Sequence, residues 1–175
     1  YEICRIARKI LDKPEYNVGT VIARPYIGTS RDNFTRTYNR KDFESNSFGK
    51  TMLDVMYENN KNVIAIGKIE DLFSGRGINK SIHTNGNADG IEKTIEEIEK
   101  SGEGLIFTNL VDTDMLYGHR NNIKGYASAL EYFDSKIPEI IDKLKDTDML
   151  IITADHGNDP STPSTDHSRE YIPIL

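Results

Sequence analysis

The sequence predicts an α/β protein, a mostly parallel sheet with helices on both of its faces. Two observations carry that prediction. From about residue 48, short apolar runs of strand length alternate with longer stretches whose apolar residues recur at helical spacing, the pattern of successive β–α units. Each apolar run also hands over, at its C-terminal end, to a polar group suited to ligand chemistry: Lys68, then Asp112 and Asp114, then Asp155 and His156. Open parallel sheets bind ligands at that edge.

In chain order, Ile3, Ile6, Ala7, Ile10 and Leu11 make one face of a first helix, with Cys4 expected as a buried small hydrophobe on it. Val18 to Ala23 reads as a strand that delivers Arg24 and Pro25. Tyr26 to Ser47 shows neither period and reads as a long ordered loop or linker. A helix over about Thr51 to Asn59 leads into a strand, Asn62 to Ile66, ending at Gly67-Lys68. Gly75-Arg76-Gly77 fits no phosphate-loop spacing and reads as a turn. Asp89 is placed to cap a helix running to about Lys100. The strand Leu105 to Leu110 follows, then a helix from Gly125 to about Leu144 with the stripe Leu130, Phe133, Ile137, Ile140, Ile141 and Leu144. Pro138 inside that stripe predicts a kink or local break. Met149 to Thr153 reads as the last buried strand. Tyr1 enters a helical pattern with no start signal, and Tyr171 to Leu175 reads as a strand with no turn after it. Both ends are therefore expected to be cuts inside a larger protein.

Three of the four histidines fall in two polar clusters, Asp112-Thr113-Asp114 with His119, and Asp155-His156 with His167. Core packing does not explain that concentration, and metal binding does. Asp114, His119 and His167 could close around one divalent ion. Asp155 and His156 are adjacent, so their side chains can point apart and reach a second ion only with help from elsewhere. A shell of carboxylate and imidazole without thiolate suits Mn or Zn better than Mg, and two ions together clamp the oxygens of a transferring phosphoryl group. The bland alternative makes these residues helix caps and turn formers. Asp159 and Asp166 read as turn residues, and Asn158 fits either role. His83 reads as solvated or structural. Arg24, Arg36 and Arg40 either clamp a sugar phosphate through bidentate bonds or lie solvated in a loop with surface ion pairs.

The bulk composition is that of an ordinary soluble chain, 37% hydrophobic and 29% charged, with a net charge of -6. That charge argues against nucleic acid or an anionic membrane as partner. No apolar run reaches membrane-spanning length, and the N-terminus lacks a signal-peptide layout. A single cysteine excludes an internal disulfide. Together these favour a cytoplasmic protein.

The segments Asn109 to Asp114 with Gly118-His119-Arg120, and Thr153 to Pro160 with Thr165 to Tyr171, closely resemble the phosphopentomutase family of the alkaline phosphatase superfamily. So do Ala23-Arg24-Pro25 and Asn33 to Thr37 with Asn39-Arg40. The resemblance runs over essentially the whole chain. It implies an alkaline phosphatase-like core from about residue 48, preceded by the end of an inserted α/β cap domain up to about Ser47. It also implies interconversion of ribose 1-phosphate and ribose 5-phosphate, and of the deoxyribose pair, through a phosphothreonine enzyme with two bound manganese ions and a sugar bisphosphate primer. By the same resemblance Asp114, His119 and His167 hold one metal, and Asp155 and His156 the other. Arg24 and Arg40 match substrate-gripping arginines of the cap, Lys68 matches a lysine near the phosphate, and Asp112 stands behind a ligand.

The resemblance also implies a gap. The family's nucleophilic threonine and a further metal-binding aspartate belong to a part of the core expected upstream of Tyr1, and more core is expected beyond Leu175. No threonine here takes the nucleophile's role, and the missing remainder of the core is the expected partner. The alternatives are another phosphomutase or phosphatase of the superfamily, or a non-catalytic metal-binding domain.

Overall fold

The computed structural model describes residues 1–16, 18–45 and 49–175. It divides into two units, Tyr1–Asn85 with Ser101–Asn109, and Gly86–Lys100 with Leu110–Leu175. The domain boundary expected between Ser47 and Phe48 lies outside the described residues.

In the first unit, α1 (Glu2–Leu11) is followed by β1 (Thr20–Ala23), the two-residue strands β2 (Tyr26–Ile27) and β3 (Thr35–Arg36), and β4 (Lys41–Glu44). β1 and β4 pair antiparallel with Val21 opposite Phe43 and Ala23 opposite Lys41, and β2 pairs with β3. Tyr26 to Ser47 is thus not the strandless loop that its composition predicts. β4 escapes a periodicity reading because polar bonds hold it. Its Asp42 is buried, takes both Nε and Nη2 of Arg40 at 2.7 Å, and donates its backbone N–H to Asp71 at 2.9 Å. α1 is tied to this ribbon in the same way. Buried Arg8 donates to the carbonyls of Val18 (2.7 Å) and Gly19 (2.9 Å) and pairs with Asp12. Ile3, Ile6 and Ile10 stay exposed, and Cys4 is half-buried rather than buried.

Next come α2 (Met52–Glu58), β5 (Asn62–Ile66), α3 (Ile69–Leu72), β6 (Lys80–Ile82) and, after the excursion into the second unit, β7 (Gly104–Thr108). The three strands form a parallel sheet in the order β6-β5-β7, the α/β arrangement the alternation predicts. All four residues Val63 to Ile66 are at most 2% exposed, as expected for a central parallel strand covered on both faces. Val63 and Ala65 pack with Leu53 of α2 and Ile69 of α3, flanked by Met56, Phe73, Ile78, Leu105 and Phe107. Asn79, just before β6, accepts the Val63 N–H at 2.8 Å and helps set the strand's entry. Gly67 ends β5 at φ 79°, with its would-be Cβ against the Asn109 carbonyl, so the chain can turn there only as glycine. Gly75 and Gly77 both have positive φ, as the turn reading requires. His83 is exposed after β6.

In the second unit, α4 (Asn87–Lys100) and α5 (Ile123–Lys143) share a core of Ile91, Ile95 and Ile140, with Ile98, Leu110, Phe133, Ile137 and Leu150 packed against it. α4 begins two residues before the expected cap at Asp89, which instead lies in the first turn and pairs with Lys93. Asn122 caps α5 through Gly125 N–H, and the helix passes Pro138 without a break. Leu130 and Ile141 of the expected stripe are exposed. The strands expected at Met149 to Thr153 and Tyr171 to Leu175 do not form. Their only pairing among the described residues is a bridge between Thr153 and Ile174, with Ile152 and Leu175 exchanging two bonds of 3.0 Å. Apolar sequence favours burial, but a strand also needs a neighbour along its length.

Thr51 and Asp54 form a reciprocal capping box at the start of α2, and Arg76 reaches the same carboxylate at 3.0 Å. The Thr51 backbone N–H, then its hydroxyl and the nearby cations, hold the Asp54 carboxyl below its ordinary value. A depressed folded-state value gives stability that is complete above the ordinary carboxylate range and is lost as pH falls through the folded value. Asp54→Asn is therefore expected to lower the urea midpoint at neutral pH, with the gap to the parent chain closing in acid. A gap that widened in acid would contradict this cap.

Candidate metal centre

The centre begins where the chain enters its second stretch of the second unit. Asp112 accepts the Asn87 N–H at 2.7 Å, and Asn87 Oδ1 accepts the Asp112 N–H at 2.8 Å. This exchange ties the segment to the N-terminus of α4, where a carboxylate is favoured by the helix dipole. It also explains why α4 starts at Asn87. The residue set behind a ligand by resemblance is thus an anchor whose partner is a helix, and its second oxygen is buried with no hydrogen bond among the described residues.

Thr113–Tyr117 then form a single π-helical turn and Gly118–Arg120 a 3₁₀ turn. A single π-helical turn frequently marks a functional site. Asn121 ends them in the left-handed region at φ 50°. Its amide donates to the carbonyls of Thr162 and, at 3.1 Å, Ser164. This ties the turn to the loop that carries His167. The loop is closed at its base by the bridge between Gly157 and Ser168 and by Ser168 Oγ, which accepts the Asp159 N–H at 2.6 Å. Asp159 in turn accepts from the N–H and hydroxyl of Ser161, the turn role its sequence position predicts. Those bonds hold its carboxyl below the ordinary value.

These ties gather the five expected ligands in one place. Asp114 Oδ1 lies 3.3 Å from His119 Nε2 and 3.2 Å from His167 Nε2. The His156 and His167 rings stack at 3.6 Å, and those of His119 and His167 at 4.9 Å. Asp155 Oδ1 stands 3.6 Å from His156 Nε2, so this neighbouring pair turns to one side instead of pointing apart. Asp114, His156 and His167 offer ligand atoms within 4.8 Å of one another.

Hydrogen bonds orient two of the imidazoles. His119 Nδ1 lies 2.6 Å from the Thr165 carbonyl, and His156 Nδ1 lies 3.1 Å from the Gly157 carbonyl. A carbonyl can only accept, so Nδ1 is the donor in each contact, and the ring is held with Nε2 toward the carboxylates. Ligand atoms of a carboxylate and two imidazoles gathered at such distances are close enough to share one ion. The donor set, imidazole and carboxylate without thiolate, therefore fits a divalent metal such as Mn or Zn.

Two further residues take part, one left open in the sequence and one unmarked there. Asn158, which fitted either role, donates to Asp114 Oδ1 at 2.7 Å. Tyr126, in the first turn of α5, has its phenol raised above the ordinary value by burial and then by the charges of Asp114 and Asp159. No sequence signal marks Tyr126, which has no motif neighbour.

Arg24, Arg36, Arg40 and Lys68 belong to the other unit. Arg24 directly follows β1 and Arg40 directly precedes β4, whose last pair is Ala23 with Lys41. Arg36 lies on β3 opposite Tyr26. Among the described residues the side chains of Arg24, Arg36 and Lys68 make no hydrogen bond or ion pair, whereas Arg40 is held by Asp42. Lys68 is half-buried at the start of α3.

Comparison with known proteins gives a consistent result. The chain is 57% identical over 175 residues to a phosphopentomutase of Caldanaerobacter subterraneus subsp. tengcongensis, covering all of this chain and 44% of that protein. It is 58% identical to a phosphopentomutase of Acetivibrio thermocellus, of which it covers 45%, and 55% identical to one of Clostridium acetobutylicum, of which it covers 44%. The chain thus spans less than half the length of these relatives. A model of the Metalloenzyme superfamily matches residues 47–175, most of the chain. On that match, the chain belongs to the Metalloenzyme superfamily.

Proposed function

We propose that these residues serve, within a polypeptide of the relatives' length, as part of a cytoplasmic phosphopentomutase that interconverts ribose 1-phosphate and ribose 5-phosphate and the deoxyribose pair. The observation that carries the reading is the convergence of Asp114, His119, His156 and His167 in a chain so similar to proteins of that name. Neither nucleic acid nor membrane has a part in the reading. No helix is long and apolar enough to cross a membrane, among the described residues.

In this reading Asp114, His119 and His167 hold one divalent ion, and Asp155 and His156 hold a second with ligands from elsewhere in the longer polypeptide. Manganese is the expected metal, and a sugar bisphosphate is the primer. When bound, the metals supply positive charge to the oxygens of the transferring phosphoryl group. The chain's own residues orient the centre and hold the substrate. The Nδ1 bonds of His119 and His156 keep their rings turned to the centre. Arg24 and Arg40, which flank the Ala23–Lys41 end of the ribbon, grip the sugar phosphate. Lys68, whose ammonium is not engaged in an ion pair among the described residues, adds a further positive charge. The bond to Asp42 uses Nε and one Nη2 hydrogen of Arg40, which leaves the outer Nη1 and Nη2 hydrogens free for a phosphate.

The test is turnover of ribose 1-phosphate by the longer polypeptide, with none of 3-phosphoglycerate. His119→Ala or Asp155→Ala is expected to remove most activity while the melting temperature stays nearly unchanged, because neither residue belongs to the apolar cores. Arg40→Ala is expected to lower kcat/KM by the equivalent of about 1.5–3 kcal/mol, one charge-assisted bond. Unchanged kinetics without Arg40 would remove that ribbon from the substrate site.

Residues 1–175 alone are expected to be inactive. Phosphoryl transfer through a covalent intermediate needs a nucleophile in line with phosphorus, and no threonine of this chain is assigned that role. Loss of a nucleophile costs about a millionfold in a comparable enzyme. The purified chain, given manganese and the bisphosphate, should neither form ribose 5-phosphate nor become labelled. Turnover near that of the longer polypeptide would overturn the assignment.

A further inference from the structure

Gly118 stands directly before His119, with φ -59° and ψ -60°. That is ordinary right-handed helical backbone, which any residue adopts. Nothing in its conformation requires glycine, but its surroundings leave no room for a side chain. The three heavy atoms nearest a Cβ built there all belong to the side-chain amide of Asn158, and all would be in steric conflict with it. The amide fills the place where a side chain at 118 would be, and from there its Nδ2 donates to Asp114 Oδ1 at 2.7 Å.

That oxygen is also the one that faces His119 Nε2 and His167 Nε2. A carboxylate oxygen has two in-plane lone pairs. Asn158 takes one and so sets the plane of the carboxylate, leaving the other toward the imidazole nitrogens. We infer that Gly118 and Asn158 act as one positioning device, the missing side chain of the first admitting the amide of the second, which aims Asp114 at the metal. This rests on the metal reading of Asp114, His119 and His167, and adds two residues that touch no metal themselves. Partners of this kind typically change metal affinity by about 10–100-fold.

The experiment titrates Mn²⁺ alone into the 175-residue chain and follows the free-ion signal by electron paramagnetic resonance, with a thermal melt of each metal-free protein as the folding check. Asn158→Ala and Gly118→Ala are each expected to weaken Mn²⁺ binding about 10–100-fold. If Gly118 matters only through Asn158, the double variant should bind like Asn158→Ala alone, because the added methyl then meets empty space. Asn158→Ser, too short to reach Asp114, is expected to show the same loss and serves if the alanine variant does not fold. Unchanged affinity in a folded Asn158 variant, or losses that multiply in the double variant, would overturn the device while leaving the metal reading intact. A parent chain that binds no Mn²⁺ would overturn both.

Discussion

Everything proposed for this chain depends on one electrostatic constraint. Asp114 Oδ1 is faced by two imidazole nitrogens, at 3.2 and 3.3 Å, and the Nδ1 bond of His119 turns its Nε2 toward the oxygen. A carboxylate oxygen and imidazole nitrogens gathered this closely are held by a shared positive charge, a proton or a metal ion. The fold spends hydrogen bonds from three separate segments on bringing them together. That investment makes sense for a cation site and has no counterpart in a set of helix caps.

The scaffold under the constraint is local and polar at the centre, apolar behind it. α4 and α5 share an isoleucine-rich core, and the exchange between Asn87 and Asp112 fastens the ligand-bearing turn to the start of α4. Asn121 then ties that turn to the loop returning through His167, while Ser168 and Gly157 close the loop's base. The ligands themselves contribute little burial. A site on loops held by hydrogen bonds can be altered with modest effect on stability, whereas the cores cannot.

Much of the architecture was legible because apolar period and turn chemistry agree there. Asn62–Ile66 is a strand over the expected residues, and α2 starts after its Thr51 cap. The strand β4 was not legible, since its buried residue Asp42 is polar and is satisfied by bonds to Arg40 and Asp71 that no apolar period marks. Met149 to Thr153 misled for the opposite reason. Its apolar residues look like a strand, but the described residues give it only a two-residue partner. At the site, all five ligand candidates were readable from residue type and spacing. Asn158 was not, because its role exists only through a contact 44 residues away. Asn121 was hidden likewise, 43 residues from Ser164.

The central claim is that a divalent cation resolves the convergence on Asp114. The most direct test is anomalous diffraction from crystals of the chain soaked in Mn²⁺. The account expects a peak at bonding distance, about 2.0–2.3 Å, from Asp114 Oδ1 and the Nε2 of His167, with His119 or His156 completing the shell. A peak located elsewhere, or no peak with the imidazoles swung away from Asp114, would contradict it.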